Sequence, residues 1–427
     1  MTTAARVTAG AREWLACVGC GATYDVDELR YSCRCGGLLS VERPPGWAAE
    51  VGHARFDARL GSRADVDRSG VWRFREAVRD LPVESLVTHP EGATRLYARP
   101  ALSSWAGIER LLFKHEGENP TGSFKDRGMV VGITQAVRVG ARAVACASTG
   151  NTSSSLAAYA AQVGCPAFVF LPAGKVAMGK VAQTLAYGAR GLAVRGDFDA
   201  ALRLVTECCQ RLGIYLLNSV NPFRIEGQKT IVWELLQDLG WEPPDWIAVP
   251  AGNLGNTSAF GKALREAHEG GWIARLPRIL AVQAKGANPF YRSFADGFRS
   301  RHRVQPETVA TAIRIGDPVS HERARLAIQT TRGVVAEVSD DEILAAKARI
   351  DGAGLGCEPA SAASLAGARK LRAEGVIGPE ERVVCVLTGN ILKDPDAIAA
   401  RSPERALVEV DADPAAVEAA LGPWLRP

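Results

Sequence analysis

At 427 residues the chain exceeds one ordinary hydrophobic core, so two or three domains are expected. A hydrophobic fraction of 47% excludes wholesale disorder, and the near balance of 51 basic and 47 acidic residues, net +4, leaves no global footprint for nucleic acid. No apolar run reaches the length of a membrane span, residues 1–16 lack the apolar stretch of a secretory signal, and the ten cysteines include several inside apolar patterns (Cys146, Cys165, Cys385), as buried thiols of a cytoplasmic protein do.

In chain order, residues 1–45 form a cysteine-rich segment. It reads Cys17-Val18-Gly19-Cys20, twelve intervening residues, then Cys33-Arg34-Cys35-Gly36-Gly37. Paired knuckles suggest a four-cysteine zinc ribbon of structural role, with Cys17, Cys20, Cys33 and Cys35 as ligands. The second knuckle is one residue short, so a zinc-filled and a metal-free ribbon both stay open. Arg43-Pro44-Pro45-Gly46 reads as a linker. Residues 55–90, charge-rich around Trp72 and Phe74, predict a helix and a wrapping arm, within a region 46–123 that supplies part of a large domain.

From Leu111 onward short apolar runs alternate with helical patterns. Strands are predicted at 110–114, 143–146, 167–171, 192–194, 214–217, 246–249, 279–282, 334–338 and 383–387. Helical patterns lie at 130–139, 156–163, 200–211, 229–239 and 360–372. The regular alternation predicts an α/β fold with helices covering mostly parallel sheets: a small α/β domain at 124–221 and a large one at 222–427, ending in an alanine-rich helical tail.

Four segments at strand ends carry chemistry. Residues 116–128 contain Asn119-Pro120-Thr121-Gly122-Ser123-Phe124-Lys125-Asp126-Arg127-Gly128, where Asn-Pro and Thr-Gly make a tight turn and Ser123 is placed to cap the next helix. Lys125 then sits at the positive end of a helix, which lowers an amine's pKa and suits a nucleophile; the alternative is a solvated surface lysine. Residues 147–155 hold six hydroxyl side chains around Gly150-Asn151, an anion site at a helix start. Residues 249–258 contain Gly252-Asn253-Leu254-Gly255-Asn256, a short glycine cradle without dinucleotide or P-loop spacing. The fourth segment, 387–395, places Thr388 after the last strand. Ligands of open α/β sheets bind beyond the carboxyl ends of strands, where all four segments fall.

Together with Asn218-Ser219-Val220-Asn221-Pro222-Phe223-Arg224 and residues 310–316, these motifs resemble those of the threonine synthase family. That family belongs to the fold-type-II, tryptophan-synthase-β-like enzymes that use pyridoxal 5'-phosphate (PLP). The resemblance implies a fold-type-II architecture of two open parallel-sheet α/β domains with a small N-terminal cysteine ribbon. It implies that Lys125 bonds PLP covalently and is the catalytic residue, that Asn151 meets the cofactor's 3′ oxygen, and that Gly252, Asn253, Leu254, Gly255 and Asn256 cradle its phosphate. Thr388 would face the pyridine nitrogen. Ser148, Thr149, Thr152, Asn218, Ser219 and Arg224 would form the subsites for the substrate's carboxylate and phosphate, with Arg224 the phosphate clamp. The implied reaction converts O-phospho-L-homoserine and water to L-threonine and phosphate in a homodimer that takes up neither nucleic acid nor membrane. One departure is Arg95, in Glu91-Gly92-Ala93-Thr94-Arg95-Leu96, where the family often has proline. It keeps open a cysteate-synthase-like reaction on another phosphorylated amino acid. His115, near the Lys125 turn, reads as a satisfied strand-end residue.

Overall fold

The apolar runs of the sequence become three sheets in the computed structural model, which describes residues 12–148, 150–173, 178–195, 198–395 and 408–425. The cysteine-rich segment folds as an antiparallel sheet of β1 (Trp14–Cys17), β2 (Thr23–Asp25) and β3 (Leu39–Glu42), with β1 central. The next strands are β4 (Leu96–Ala98), β5 (Arg110–His115), β6 (Val144–Ala147), β7 (Ala167–Pro172), β8 (Arg190–Val194) and β9 (Tyr215–Leu216). The last four are β10 (Trp246–Pro250), β11 (Arg278–Ala284), β12 (Val334–Val338) and β13 (Arg382–Leu387). A six-stranded sheet runs in the order β12-β11-β10-β13-β5-β4, parallel throughout except for β4. A four-stranded parallel sheet runs β8-β7-β6-β9. Each of the nine predicted strands is present; β4, two-thirds half-exposed and only three residues long, offered no apolar run to find.

The central strands are apolar at every position because both faces are covered. Ile247, Val249, Ile279, Ala281, Val384 and Val386 point to one core, shared with the helices Pro222–Asp238 and Gly255–Glu269. The alternate residues Trp246, Ala248, Leu280, Val282, Val383 and Cys385 point to the other, under the helix Pro359–Ala373. Each fully buried Leu, Ile or Val in these cores contributes about 1.5–3 kcal/mol. The Pro359–Ala373 helix comes so close that a Cβ on Gly367 would lie 2.4 Å from a Val282 methyl, and its alanines allow that approach.

Two expectations need correcting here. Residues 55–90 contain no long helix; they form the short turns Ala54–Asp57, Asp65–Arg68, Trp72–Phe74 and Arg75–Val78, held by fully buried Phe56, Trp72 and Phe74. The stretch at Arg43 is an anchor as well as a connection. Its buried guanidinium pairs with Glu13 at 2.7 Å and with Glu226 of the Pro222–Asp238 helix at 3.1 Å, and donates to the Val78 carbonyl. Further ties hold the ribbon: Asp27 pairs with Arg79 and Arg138, Tyr31 accepts the Leu216 N–H at 2.8 Å, and Arg323 donates to the Leu39 carbonyl. Residues 394–427 form a unit of their own, whose described part carries the helix Pro414–Leu425. Among the described residues no helix is long and apolar enough to cross a membrane.

Candidate active site

The turn before Lys125 is locked from several sides. Gly122 takes the left-handed conformation (φ 84°) and donates its N–H to the Asn119 carbonyl at 2.7 Å. Asp126 accepts from the Thr121 N–H at 2.7 Å and from the Thr121 hydroxyl at 2.6 Å. Arg127, fully buried, pairs with Glu116 and Glu234 at 2.7 Å each. The helix Lys125–Arg138 begins at Lys125, with Phe124 rather than Ser123 at the cap. Ser123 lies one residue outside because it bridges to Gly389, and its hydroxyl only reaches the Lys125 N–H at 3.4 Å. Lys125 is half-buried, and its Nζ stands 4.1 Å from the centre of the Phe124 ring. Desolvation first, and then the Arg224 charge, push its pKa down to about 7, while Glu358 acts in the opposite sense. A substantial share of the amine is therefore unprotonated and nucleophilic near neutral pH.

The other segments gather at the carboxyl ends of the parallel strands. After β10, Gly252 passes so close to Ile313 that a Cβ would lie 2.9 Å from its Cα, and Leu254 adopts a left-handed φ of 64° to open the helix Gly255–Glu269. At that helix start the buried Asn256 Oδ1 and Thr257 Oγ1 have no hydrogen-bond partner among the described residues. Asn253 fixes the loop, its Oδ1 accepting from the Val319 N–H at 2.9 Å and its Nδ2 donating to the Ser219 hydroxyl at 3.4 Å. After β13, the Thr388 hydroxyl lies 2.9 Å from the Ser361 hydroxyl and donates to Glu358 Oε1 at 3.3 Å. After β6, Asn151 starts the helix Asn151–Gln162 and donates its Nδ2 to Glu358 Oε2 at 3.0 Å. The Ser148 hydroxyl accepts the Gly150 N–H at 3.2 Å, Thr152 is half-buried, and Thr149 lies outside the described residues.

Arg224 is the odd charge. It is buried, its Nη1 donates to the Leu217 carbonyl at 3.1 Å, and its Nε has no partner among the described residues. Burial lowers its pKa to about 10, and no carboxylate offsets that. Asn218 Oδ1 accepts from the Ala147 N–H at 2.9 Å and its Nδ2 donates to the Ala147 carbonyl at 3.0 Å. Both polar ends serve to pin the end of β6. Arg95 is exposed and bonds Tyr97 beside Glu118, with none of the site residues as a partner. His115 Nε2 lies 3.0 and 3.1 Å from the Leu355 and Gly356 carbonyls, while its buried Nδ1 has no partner among the described residues.

Three groups escaped the sequence reading. Glu358 and Ser361 reach Thr388 from the start of the Pro359–Ala373 helix. Lys393 donates to Ser154 at 3.1 Å and to Gln183 at 2.6 Å, tying the loop after β13 to the Asn151–Gln162 helix and its neighbour. Lys393 lay inside a quoted motif; Glu358-Pro359 offered only a helix-start signal.

Away from these residues, the four sulfurs of Cys17, Cys20, Cys33 and Cys35 lie within 4.8 Å of one another, with Cys17–Cys35 at 3.6 Å and Cys20–Cys33 at 3.5 Å. Tetrahedral ligands with metal–sulfur bonds of about 2.3 Å stand roughly 3.8 Å apart. Gly37 makes room for them, since a Cβ there would lie 2.8 Å from the Cys17 sulfur. The shortened knuckle thus still brings four thiols to one point.

Comparison with known proteins identifies the family. Residues 87–389 match the family model described as pyridoxal-phosphate dependent enzyme. The chain is 46% identical to the threonine synthase of Methanocaldococcus jannaschii, over 92% of this chain and 96% of that protein. It is 47% identical to the threonine synthase of Methanosarcina acetivorans, over 93% and 96%. Among solved structures, Escherichia coli threonine synthase superposes with a TM-score of 0.71 at 17% identity, covering 95% of this chain and 94% of that one. The processed form of tomato threonine deaminase isoform 2 gives a TM-score of 0.63 at 20% identity, over 82% and 94%. The chain belongs to the threonine synthase family of pyridoxal-phosphate dependent enzymes.

Proposed function

We propose that the protein converts O-phospho-L-homoserine and water to L-threonine and phosphate. The observation that carries this reading is the unpaired, buried guanidinium of Arg224 close enough to depress the Lys125 amine. A dianionic phosphate on the substrate would give that charge its missing partner.

The site's chemistry fits PLP. The Thr257 hydroxyl, which has no partner among the described residues and can donate, lies at a helix start beside the tight Gly252 turn and suits its phosphate. In this reading Gly252, Asn253, Leu254, Gly255 and Asn256 hold the phosphate, Asn151 the 3′ oxygen, Thr388 the ring nitrogen, and Lys125 bonds the cofactor. PLP, when bound, takes up the electrons released as a proton leaves the substrate's α-carbon. The chain's own work is positioning and proton transfer. Arg224, with Ser148, Thr149, Thr152 and Ser219, holds the substrate's phosphate and carboxylate. The Lys125 amine, with a pKa near neutrality once the substrate's amine has displaced it, would take the α proton; a base removes a β proton as phosphate leaves the γ-carbon, the γ-carbon gains a proton, water adds at the β-carbon, and the α-carbon is reprotonated. Asn218 shapes this pocket through its hold on Ala147.

Zinc on Cys17, Cys20, Cys33 and Cys35 belongs to the same proposal as a structural ion, supported by the sulfur spacing. So do the homodimer and a cytoplasmic setting, the latter supported by ten cysteines that are all free. The deciding experiment incubates pure protein with O-phospho-L-homoserine and, separately, with O-phosphoserine plus sulfite. Phosphate release with threonine as product supports the proposal. Turnover in the second mixture alone makes the enzyme a cysteate-synthase-like catalyst instead.

A further inference from the structure

One buried carboxyl touches two of the side chains assigned to the cofactor, and the proposed chemistry does not use it. Glu358 lies at the start of the Pro359–Ala373 helix, is 4% exposed, and its N–H donates to the Gly389 carbonyl at 3.1 Å. Its two oxygens face different elements: Oε2 accepts from Asn151 at 3.0 Å and Oε1 from Thr388 at 3.3 Å. Gly389 is open to it, for a Cβ at that position would lie 2.5 Å from the Glu358 carboxyl carbon. The carboxyl therefore bridges the end of β13 and the start of the Asn151–Gln162 helix, which belong to different sheets.

We propose that Glu358 is a positioning residue for the cofactor, setting the plane of the Asn151 amide and the direction of the Thr388 hydroxyl proton. The inference rests on the PLP reading of Asn151 and Thr388. An amide has two N–H donors. With one held by Glu358, the other is fixed in direction and free for an oxygen acceptor. A threonine hydroxyl has one proton. An ionised Glu358 accepts that proton's hydrogen bond and leaves Thr388 only lone pairs to present. A protonated Glu358 donates to Thr388 instead and frees the Thr388 proton for an unprotonated ring nitrogen. Burial raises the pKa of the Glu358 carboxyl, against the opposing influences of the Asn151 bond, Lys125, Lys393 and Thr388. Ser361, 2.9 Å from Thr388, itself accepts the Gly389 N–H at 3.0 Å and so keeps the hydroxyl in place.

The test compares full-chain holoenzymes of the wild type, Glu358→Gln and Glu358→Ala. The readouts are equilibrium release of PLP and the absorbance spectrum of the bound cofactor. Glutamine keeps an acceptor for Asn151 and a donor for Thr388, so it should hold PLP within about threefold of wild type with an unshifted spectrum. Alanine should release PLP about tenfold or more readily, with a displaced band. A glutamine variant as impaired as alanine, or an alanine variant indistinguishable from wild type, overturns the proposal. If the alanine variant does not fold, a double-mutant cycle of Glu358→Met, which removes both hydrogen bonds while keeping the side chain's length, with Thr388→Val decides. Additive losses of cofactor affinity overturn the coupling, and non-additive losses support it. Borohydride reduction of the wild type separates the two levels. A pyridoxyl label on a lysine other than Lys125 sinks the cofactor reading itself.

Discussion

The helix Pro222–Asp238 carries two kinds of buried charge. Along its body, Glu226 is bound by Lys229, Lys262 and Arg43, and Glu234 by Arg127, Arg73 and Lys114, so each carboxylate is surrounded by cations and its pKa falls well below the ordinary range. At its first turn, Arg224 donates to a carbonyl and pairs with no carboxylate among the described residues. Its neighbours repeat that pattern: Lys125 is pushed toward neutrality and Glu358 toward its protonated form, both chiefly by burial. Burial disfavours charge in both regions; around Glu226 and Glu234 opposite charges outweigh it, whereas around Lys125 and Glu358 they offset it only in part. A charge left without its counter-ion inside a fold marks the place where a ligand is to supply one.

This contrast is most sharply tested by removing the charges one at a time. Lys125→Ala should abolish turnover and the visible absorbance of lysine-bound cofactor, with folding intact; retained absorbance would move the attachment elsewhere. Arg127→Met, in the paired region, should lower stability by about 3–5 kcal/mol, since Glu116 and Glu234 are left buried around a neutral group. Denaturant unfolding measures it. Arg224→Ala, in the open region, should behave in the opposite way. Stability should hold or rise, because a lone buried cation is removed, while kcat/KM for O-phospho-L-homoserine falls by roughly 2–3 kcal/mol. PLP content should stay near wild type; its loss would place Arg224 in the cofactor's own site.

Two smaller effects refine the picture. In protein stripped of cofactor, Lys125 binds its proton less tightly folded, with a pKa of about 7, than unfolded, near the ordinary value of 10.5. Between those values the unfolded chain holds more protons, so this group makes stability rise with pH from about 7 upward. Lys125→Met should flatten that slope, and an unchanged slope would show the amine to be solvated. The smallest effect on turnover is expected from chelation. Removing metal from Cys17, Cys20, Cys33 and Cys35 should lower the Tm and leave the initial rate nearly intact. A rapid, zinc-reversible loss of rate without unfolding would make the ribbon part of the catalytic machinery.

How much of this was legible beforehand differs by element. The central strands were, because a parallel strand covered on both faces must be apolar at every residue, as β10 and β13 are. The Lys125 turn, the Gly252 loop and Thr388 were legible too, because turn-forming residues, glycines and hydroxyls at strand ends are local patterns. The sequence of residues 1–45 disclosed four thiols at ribbon spacing, but only the fold shows that one missing residue still brings their sulfurs within 4.8 Å of one another. Glu358 could not be found in the same way. Its role depends on two partners, Asn151 and Thr388, that stand 207 and 30 positions away and arrive from different sheets. The same holds for Asn218, whose amide is claimed by a strand 71 positions earlier, and for Arg43, which meets Glu226 across 183 positions. Local propensity and hydrophobic period act over a few residues and so determined which segments fold and which ends they present. Which buried polar group finds a partner, and which is left open for a ligand, depends on packing between distant segments and was decided only by the tertiary structure.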